Sequence, residues 1–134
     1  MAIAVGQAAS ASVRYAVGEN DDRPWGRWEV IATGDRYTVK RITVLPGQRL
    51  SLQYHHHRSE HWTIVEGEGE VEIDESIQRL GFGEHVFITV GAKHRVRNPG
   101  ETSLVFVEVQ VGDLLDENDI VRVSDDYGRQ SPDT

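Results

Sequence analysis

Turn-forming residues divide this chain into short segments that suit strands better than helices. Clusters such as Thr33-Gly34-Asp35 and Pro46-Gly47 recur every eight to twelve residues, and no long segment has an apolar period of 3.6 residues. Between the turns, apolar and polar residues alternate, as they do across residues 36–45. Such alternation is typical of a strand with one buried face. The pattern predicts an all-β domain, a sandwich or barrel of antiparallel strands.

Length and charge narrow the class of protein. The chain has 134 residues, which is enough for one domain with a real core. Its formal charge is -8, which argues against nucleic acid or an anionic membrane as a partner. It has no cysteine, so disulfides and thiolate metal ligands are excluded. The N-terminal residues lack the basic and apolar regions of a signal peptide, and we expect a cytoplasmic location.

The predicted organisation has three parts. Residues 1–20 form an N-terminal arm, weakly structured or added as an edge strand, and residues 21–112 form the β-domain. Residues 113–134 form a C-terminal extension that contains one brief strand and ends in polar coil.

Residues 47–67 hold four of the six histidines of the chain. Read as a strand, the first half of this segment places Gln53, His55 and His57 on one face. A second strand begins at Glu60, after a bend predicted at Arg58-Ser59.

These two strands predict a metal site. Gln53, His55 and Glu60 would converge from neighbouring strands, and His94 is the candidate for a fourth ligand. Amide, imidazole and carboxylate groups form a mixed nitrogen and oxygen set that suits a divalent cation.

Two spaced motifs carry a resemblance. The first is read as Gly47, Gln53-Tyr54-His55, Glu60 and Gly67. The second is read as Gly83, Thr89-Val90-Gly91, His94 and Asn98. They resemble the two motifs of the cupin superfamily, whose fold is a double-stranded β-helix, or jelly-roll barrel. Gln53 replaces a histidine of the first motif, and Thr89 replaces a proline of the second.

Several short sequence segments, spread over residues 21–129, make the resemblance more specific. They are RPWG, VKRITVLPGQRLSLQYHHHRSEHW, HRVRNPG, VEVQVG and DIVRVSDDYGR. Together they resemble the isomerase domain of type II mannose-6-phosphate isomerases, which in many members is fused behind a mannose-1-phosphate guanylyltransferase. The resemblance implies a metal-dependent enzyme that interconverts mannose 6-phosphate and fructose 6-phosphate through an enediol. It favours zinc, although manganese, iron and cobalt also fit these ligands.

Such chemistry needs a catalytic base and side chains that bind the phosphate. The candidates for acid–base or other catalytic roles are Glu60, His57, His61 and Glu108. Glu108 shares one strand face with Gln110, and we expect both to line the cavity. The candidates for substrate binding are Arg49, Arg58, Lys93, Arg95, Arg129 and, as a cavity wall, Trp62.

Two other functions stay open at this point. One is a non-catalytic cupin that binds a sugar phosphate or a nucleotide sugar. The other is a cupin enzyme of another reaction class, such as an oxygenase or an epimerase. In each case the expected partner is a small molecule, and a homodimer is expected because small cupins commonly dimerise.

Overall fold

The computed structural model describes residues 15–128, which form two antiparallel β-sheets that face each other. The strands, in chain order, are β1 (Asn20–Arg23), β2 (Gly26–Thr33), β3 (Tyr37–Val44), β4 (Leu52–Tyr54), β5 (Arg58–Glu66), β6 (Gly69–Ile73), β7 (Ser76–Leu80), β8 (His85–Ile88), β9 (His94–Arg97), β10 (Leu104–Gly112) and β11 (Val121–Ser124). One sheet has the order β1-β2-β3-β10-β5-β8 and the other β11-β4-β9-β6-β7. The all-β prediction is confirmed, and in the described part of the chain we find no helix able to cross a membrane.

The inner face of the larger sheet has an apolar end and a polar end. Along β10 the inward side chains are Leu104 and Phe106, followed by Glu108 and Gln110, and all four are buried. The neighbouring β3 and β5 follow the same order in space, with apolar side chains opposite Phe106 and polar ones opposite Gln110. The apolar half packs against the other sheet as the core, and the polar half surrounds a cavity.

The C-terminal extension is part of the smaller sheet. Its strand β11 pairs with β4, so the boundary predicted at residue 112 separates two strands that hydrogen-bond to each other. A short 3₁₀ helix, Glu117–Asp119, precedes β11. It brings Asp119 against the segment that joins β4 to β5.

The bend between β4 and β5 lies at His56 and His57, two residues earlier than predicted. Arg58 is therefore the first residue of β5 and is buried on the same face as Glu60. The hairpin from β6 to β7 was also not predicted. Its two turn residues, Asp74 and Glu75, have positive φ angles of 46° and 76° without a glycine.

Most of the predicted N-terminal arm, residues 1–14, lies outside the described residues. Tyr15, the first described residue, is buried and its ring contacts Trp28 edge-on at 5.8 Å.

Candidate metal centre

Three buried side chains meet at the polar end of the barrel. His55 follows β4, Glu60 lies in β5 and His94 begins β9, and their potential ligand atoms all lie within 4.8 Å of one another. His55 Nε2 is 3.1 Å from Glu60 Oε2, and His94 Nε2 is 3.8 Å from Glu60 Oε1. Each residue is about 2% exposed, so water does not screen this cluster.

The two imidazoles are oriented as metal ligands are. His55 Nδ1 lies 2.7 Å from the carbonyl oxygen of Asp119, and His94 Nδ1 lies 2.9 Å from that of Ala92. A carbonyl oxygen only accepts, so each Nδ1 carries the hydrogen and a neutral ring presents its Nε2 lone pair to Glu60. His55 Nε2 is buried without a hydrogen-bond partner. The two Nε2 atoms and the Glu60 carboxylate oxygens are all acceptors that point at one another. A cation bound between them would interact favourably with each.

The charges of the cluster also suit a cation. Burial by itself would raise the pKa of Glu60, but the neighbouring His55 and Arg58 outweigh it and hold that pKa well below its usual range. Burial lowers the pKa of His94 to about 4. At neutral pH Glu60 is thus ionised and His94 is neutral, which are the forms that coordinate metals.

The Glu60 carboxylate is fixed from both sides. Arg58 Nε donates to Oε2 at 3.0 Å, and Trp62 Nε1 donates to Oε1 at 2.9 Å. All three side chains project from the same face of β5 because they are two residues apart. Arg58 also donates to the carbonyl oxygen of Asp116, at 3.2 Å.

Gln53 lies opposite His94 in the pairing of β4 with β9 and lines the same cavity. Its Nε2 donates to Ser51 Oγ at 2.8 Å. That bond holds the amide in place. Gln53 as a fourth ligand stays a prediction.

Glu108 and Gln110 line the cavity together with Glu60 and His94. Gln110 Nε2 donates to Glu108 Oε2 at 2.7 Å. Burial, followed by the charge of Glu60, raises the pKa of Glu108 to about 8. The cavity of the metal-free protein therefore contains one ionised carboxyl, Glu60, and a second that is mostly protonated at neutral pH.

Basic side chains outnumber carboxyls around the cavity. The basic ones are Arg23, Lys40, Arg58, Arg95 and Arg122. The carboxyls are Glu60 and Glu108. This positive excess stands out in a chain whose formal charge is -8.

Sequence reasoning missed three of these basic residues, Arg23, Lys40 and Arg122. Lys40 is 3% exposed, and its Nζ lies 3.7 Å from the centroid of the Tyr15 ring and 4.3 Å from that of Trp28. Lys40 and Ile42 are two residues apart in β3 and share its inward face, so the alternation along this strand could have identified Lys40 as an inward residue. Arg23 and Arg122 come from segments without such a pattern.

Arg95, a predicted substrate-binding residue, lines the cavity and is 9% exposed. Its guanidinium donates to the carbonyl oxygens of Leu50 and Ser124, at 3.2 and 3.3 Å. Burial, and then the neighbouring charge of Arg49, lowers its pKa. Within residues 15–128 it makes no ion pair, which leaves its charge available to an anion.

Four other predicted site residues within the described range do not line the cavity. His57 is half-exposed with Nδ1 3.7 Å from Asp113, and His61 stacks on Phe87 on the outer face of β5. Arg49 pairs with Asp126 at 2.6 Å, and Lys93 is exposed. His57 lies in the bend, outside the strand. His61 follows Glu60 directly in β5, so its side chain is on the opposite, outward face. Arg129 lies outside the described residues.

Comparison with known families places most of the chain in one of them. The family model described as "Mannose-6-phosphate isomerase C-terminal" matches residues 12–125. Mannose-1-phosphate guanylyltransferase of Escherichia coli K12 is 52% identical over 107 residues, which are 80% of this chain and 22% of that protein. Alginate biosynthesis protein AlgA of Pseudomonas putida is 49% identical over 109 residues, which are 81% of this chain and 22% of that protein.

Solved structures share the fold at lower identity. Oxalate decarboxylase from Bacillus subtilis superimposes with a TM-score of 0.72 at 17% identity, over 79% of this chain and 30% of that one. A cupin described as RmlC-like from Shewanella frigidimarina has a TM-score of 0.64 at 22% identity, over 71% and 84% of the two chains. These matches confirm the predicted cupin barrel.

The predicted function, mannose-6-phosphate isomerase, is contradicted by the names of the curated relatives. Those relatives are named for guanylyltransfer or for polysaccharide biosynthesis, as in "Xanthan biosynthesis protein XanB". The chain spans less than a quarter of their length. The prediction failed because the motifs specify the barrel and a group of candidate cation ligands, which do not by themselves determine the reaction of the whole protein.

Proposed function

Since the chain belongs to the family of the mannose-6-phosphate isomerase C-terminal domain, we propose that its barrel binds a phosphorylated sugar beside a divalent cation. We also propose that the site moves a proton at a carbon next to the sugar carbonyl. The observation that carries the proposal is the cavity, where Glu60 and His94 of the cluster line the wall together with an excess of basic side chains. The names of the relatives supply the class of ligand, because they refer to a sugar phosphate.

His55, Glu60 and His94 would hold the cation, with Gln53 as the proposed fourth ligand. The donor set suits zinc, and it also suits manganese, iron or cobalt. A bound divalent ion supplies Lewis acidity, which stabilises negative charge that develops on a carbonyl oxygen. Arg58 and Trp62 keep the Glu60 carboxylate turned toward the histidines through their two hydrogen bonds.

Arg95 and Arg122 are the proposed contacts of the phosphate. Both line the cavity, and the guanidinium of Arg95 is used only by two carbonyl oxygens within the described residues. A planar guanidinium can donate two parallel hydrogen bonds to phosphate oxygens. Lys40, buried beside two aromatic rings on the opposite sheet, adds positive charge without access to solvent.

Glu108 is the proposed acid–base group. It is the cavity carboxyl outside the cluster of His55, Glu60 and His94, and Gln110 donates a hydrogen bond to one of its oxygens. In its ionised form it would accept the proton from a carbon next to the carbonyl and return it to the neighbouring carbon. The predicted homodimer and cytoplasmic location stay predictions.

Exchange of hydrogen with solvent tests the proposal. Protein loaded with zinc or manganese is incubated in D₂O with a panel of hexose 6-phosphates, and proton NMR follows deuterium incorporation next to the carbonyl. We expect incorporation into at least one sugar phosphate, lost on chelation and in Glu108→Gln. Binding of a sugar phosphate without any exchange would instead indicate a non-catalytic binding domain. Absence of both binding and exchange would refute the proposal.

A further inference from the structure

The C-terminal extension contributes a buried carboxylate that does not reach the cation site but touches the segment that forms it. Asp119 is 3% exposed. Its Oδ1 accepts from the backbone N–H of His56 at 2.8 Å, and its Oδ2 accepts from that of His57 at 2.9 Å. Both amides belong to the bend between β4 and β5, so they have no partner in either sheet ladder.

The same residue also orients a ligand ring. The carbonyl oxygen of Asp119 accepts the Nδ1–H of His55 at 2.7 Å. One residue therefore makes three hydrogen bonds to three consecutive residues, His55, His56 and His57. It fixes the backbone of the bend with its side chain and the imidazole with its main chain.

Asp119 is the last residue of the 3₁₀ helix, which Asp116 caps. Asp116 caps the helix by accepting from the N–H of Asn118 at 2.7 Å, and its carbonyl oxygen accepts from the N–H of Asp119 at 3.3 Å. That carbonyl also accepts from Arg58, which itself holds Glu60. Two of the three proposed ligands are thus anchored to one short helix in the extension.

We propose that Asp119 is a positioning residue for the cation site, which it preforms by holding the bend that separates His55 from Glu60. This inference rests on the proposed metal site. It assigns to the extension a part in cation binding rather than in the chemistry itself. The bend must place ligands five residues apart on a common centre, and without the carboxylate its two part-buried amides lose their acceptors.

The test is metal affinity with a spectroscopic readout. Co²⁺ is titrated into metal-free wild type, Asp119→Asn and Asp119→Ala, and the visible absorption bands report the ligand geometry. We expect a loss of affinity of about 10- to 100-fold, as for other groups that orient metal ligands, and shifted cobalt bands. Asp119→Glu, which keeps the carboxylate, should recover part of the loss.

Asp113→Ala is the matched control, because Asp113 lies in the same extension beside His57 but its side chain is 78% exposed. It should bind Co²⁺ like the wild type. Circular dichroism shows whether each variant is folded, and Asp119→Asn serves if Asp119→Ala does not fold. Wild-type affinity and an unchanged spectrum in folded Asp119→Asn would overturn the inference. Failure of the wild type itself to bind Co²⁺ would instead refute the proposed metal site.

Discussion

Nε2 of His55 lies 3.1 Å from Oε2 of Glu60, in a part of the barrel that is closed to solvent. The opposite nitrogen of the ring is already used by the carbonyl oxygen of Asp119. Two such acceptors repel unless a proton or a cation lies between them. A divalent cation bound between the two atoms would accept a lone pair from each and remove this repulsion.

The first prediction concerns the cation itself. His94→Ala should lower the affinity for Zn²⁺ or Co²⁺ by more than about 100-fold, beyond the loss typical of groups that only orient ligands. Metal content after dialysis and calorimetric titration measure this. His56→Ala is the control, because that side chain is exposed and its ring contacts Tyr54 rather than the cluster. One tightly bound metal per chain in His94→Ala would contradict the assignment.

The second prediction concerns the pH dependence of stability without metal. The pKa of Glu108 is raised from 4.5 to about 8 by burial and by Glu60. The folded chain holds this proton between those pH values and unfolding releases it, so the free energy of unfolding falls as the pH rises. The slope is at most about 1.4 kcal/mol per pH unit.

His94 contributes the opposite slope at lower pH. Its pKa is lowered from 6.5 to about 4 by burial, so stability is lost as the pH falls below 6.5. The interval from about pH 6.5 to 8 therefore isolates Glu108. Urea unfolding with a chelator present should show the decline in the wild type and in Glu68→Gln, which changes an exposed carboxyl. In Glu108→Gln the decline should be absent, and an equal slope in that variant would disprove this origin.

The third prediction concerns the space beneath the bend. A Cβ built on Gly112 would lie 2.1 Å from the carbonyl oxygen of His57 and 2.9 Å from the Cα of Arg58. Gly112→Ala must displace the backbone, and it should lower the free energy of unfolding by about 1–3 kcal/mol, as overpacking does. It should also weaken metal binding.

Gly81→Ala is the comparison for that measurement, because the nearest atom to its Cβ is 3.7 Å away, at the carboxylate of Glu84. Urea unfolding of both variants measures the difference. Equal stability and equal metal affinity in the two variants would show that the contact below the bend is not tight.

The fourth prediction separates basic residues inside and outside the cavity. Arg95→Gln should weaken binding of a sugar phosphate by about tenfold or more, since a hydrogen bond to a charged group contributes about 1.5–3 kcal/mol. Lys93→Gln changes the exposed neighbour and should have little effect. Competition binding with phosphorylated and unphosphorylated forms of one sugar measures the contribution of the phosphate. A larger loss in Lys93→Gln would place the phosphate outside the cavity.

The fold and the proximity of His55, Glu60 and His94 could be predicted from the sequence because both depend on regular residue spacing. Alternation along β10 placed Glu108 and Gln110 on an inward face, and the structure has both lining the cavity. The glycine of the first motif at Gly67 has a physical reason as well. Its φ is +79°, and a Cβ there would lie 2.5 Å from the carbonyl oxygen of Ser103.

Features without a regular pattern could not be predicted in this way. The strand β7 was missed because four of its five residues are exposed and only Leu80 is buried. The bend is hydrogen-bonded to Asp119, which is 62 residues beyond His57 in the chain. Local propensity carries no information on such a contact, so the predicted bend fell on Arg58 and Ser59, which are the first two residues of β5.

The division of the inner face into an apolar end and a polar end separates two kinds of mutational effect. Changes around Leu104 and Phe106 affect how firmly the barrel holds together, while changes around Glu108 and Gln110 affect what it holds. Because the two groups of side chains lie at different ends of the same strands, new ligand preferences can arise in such a barrel without a new core. One scaffold can therefore host many unrelated chemistries during evolution.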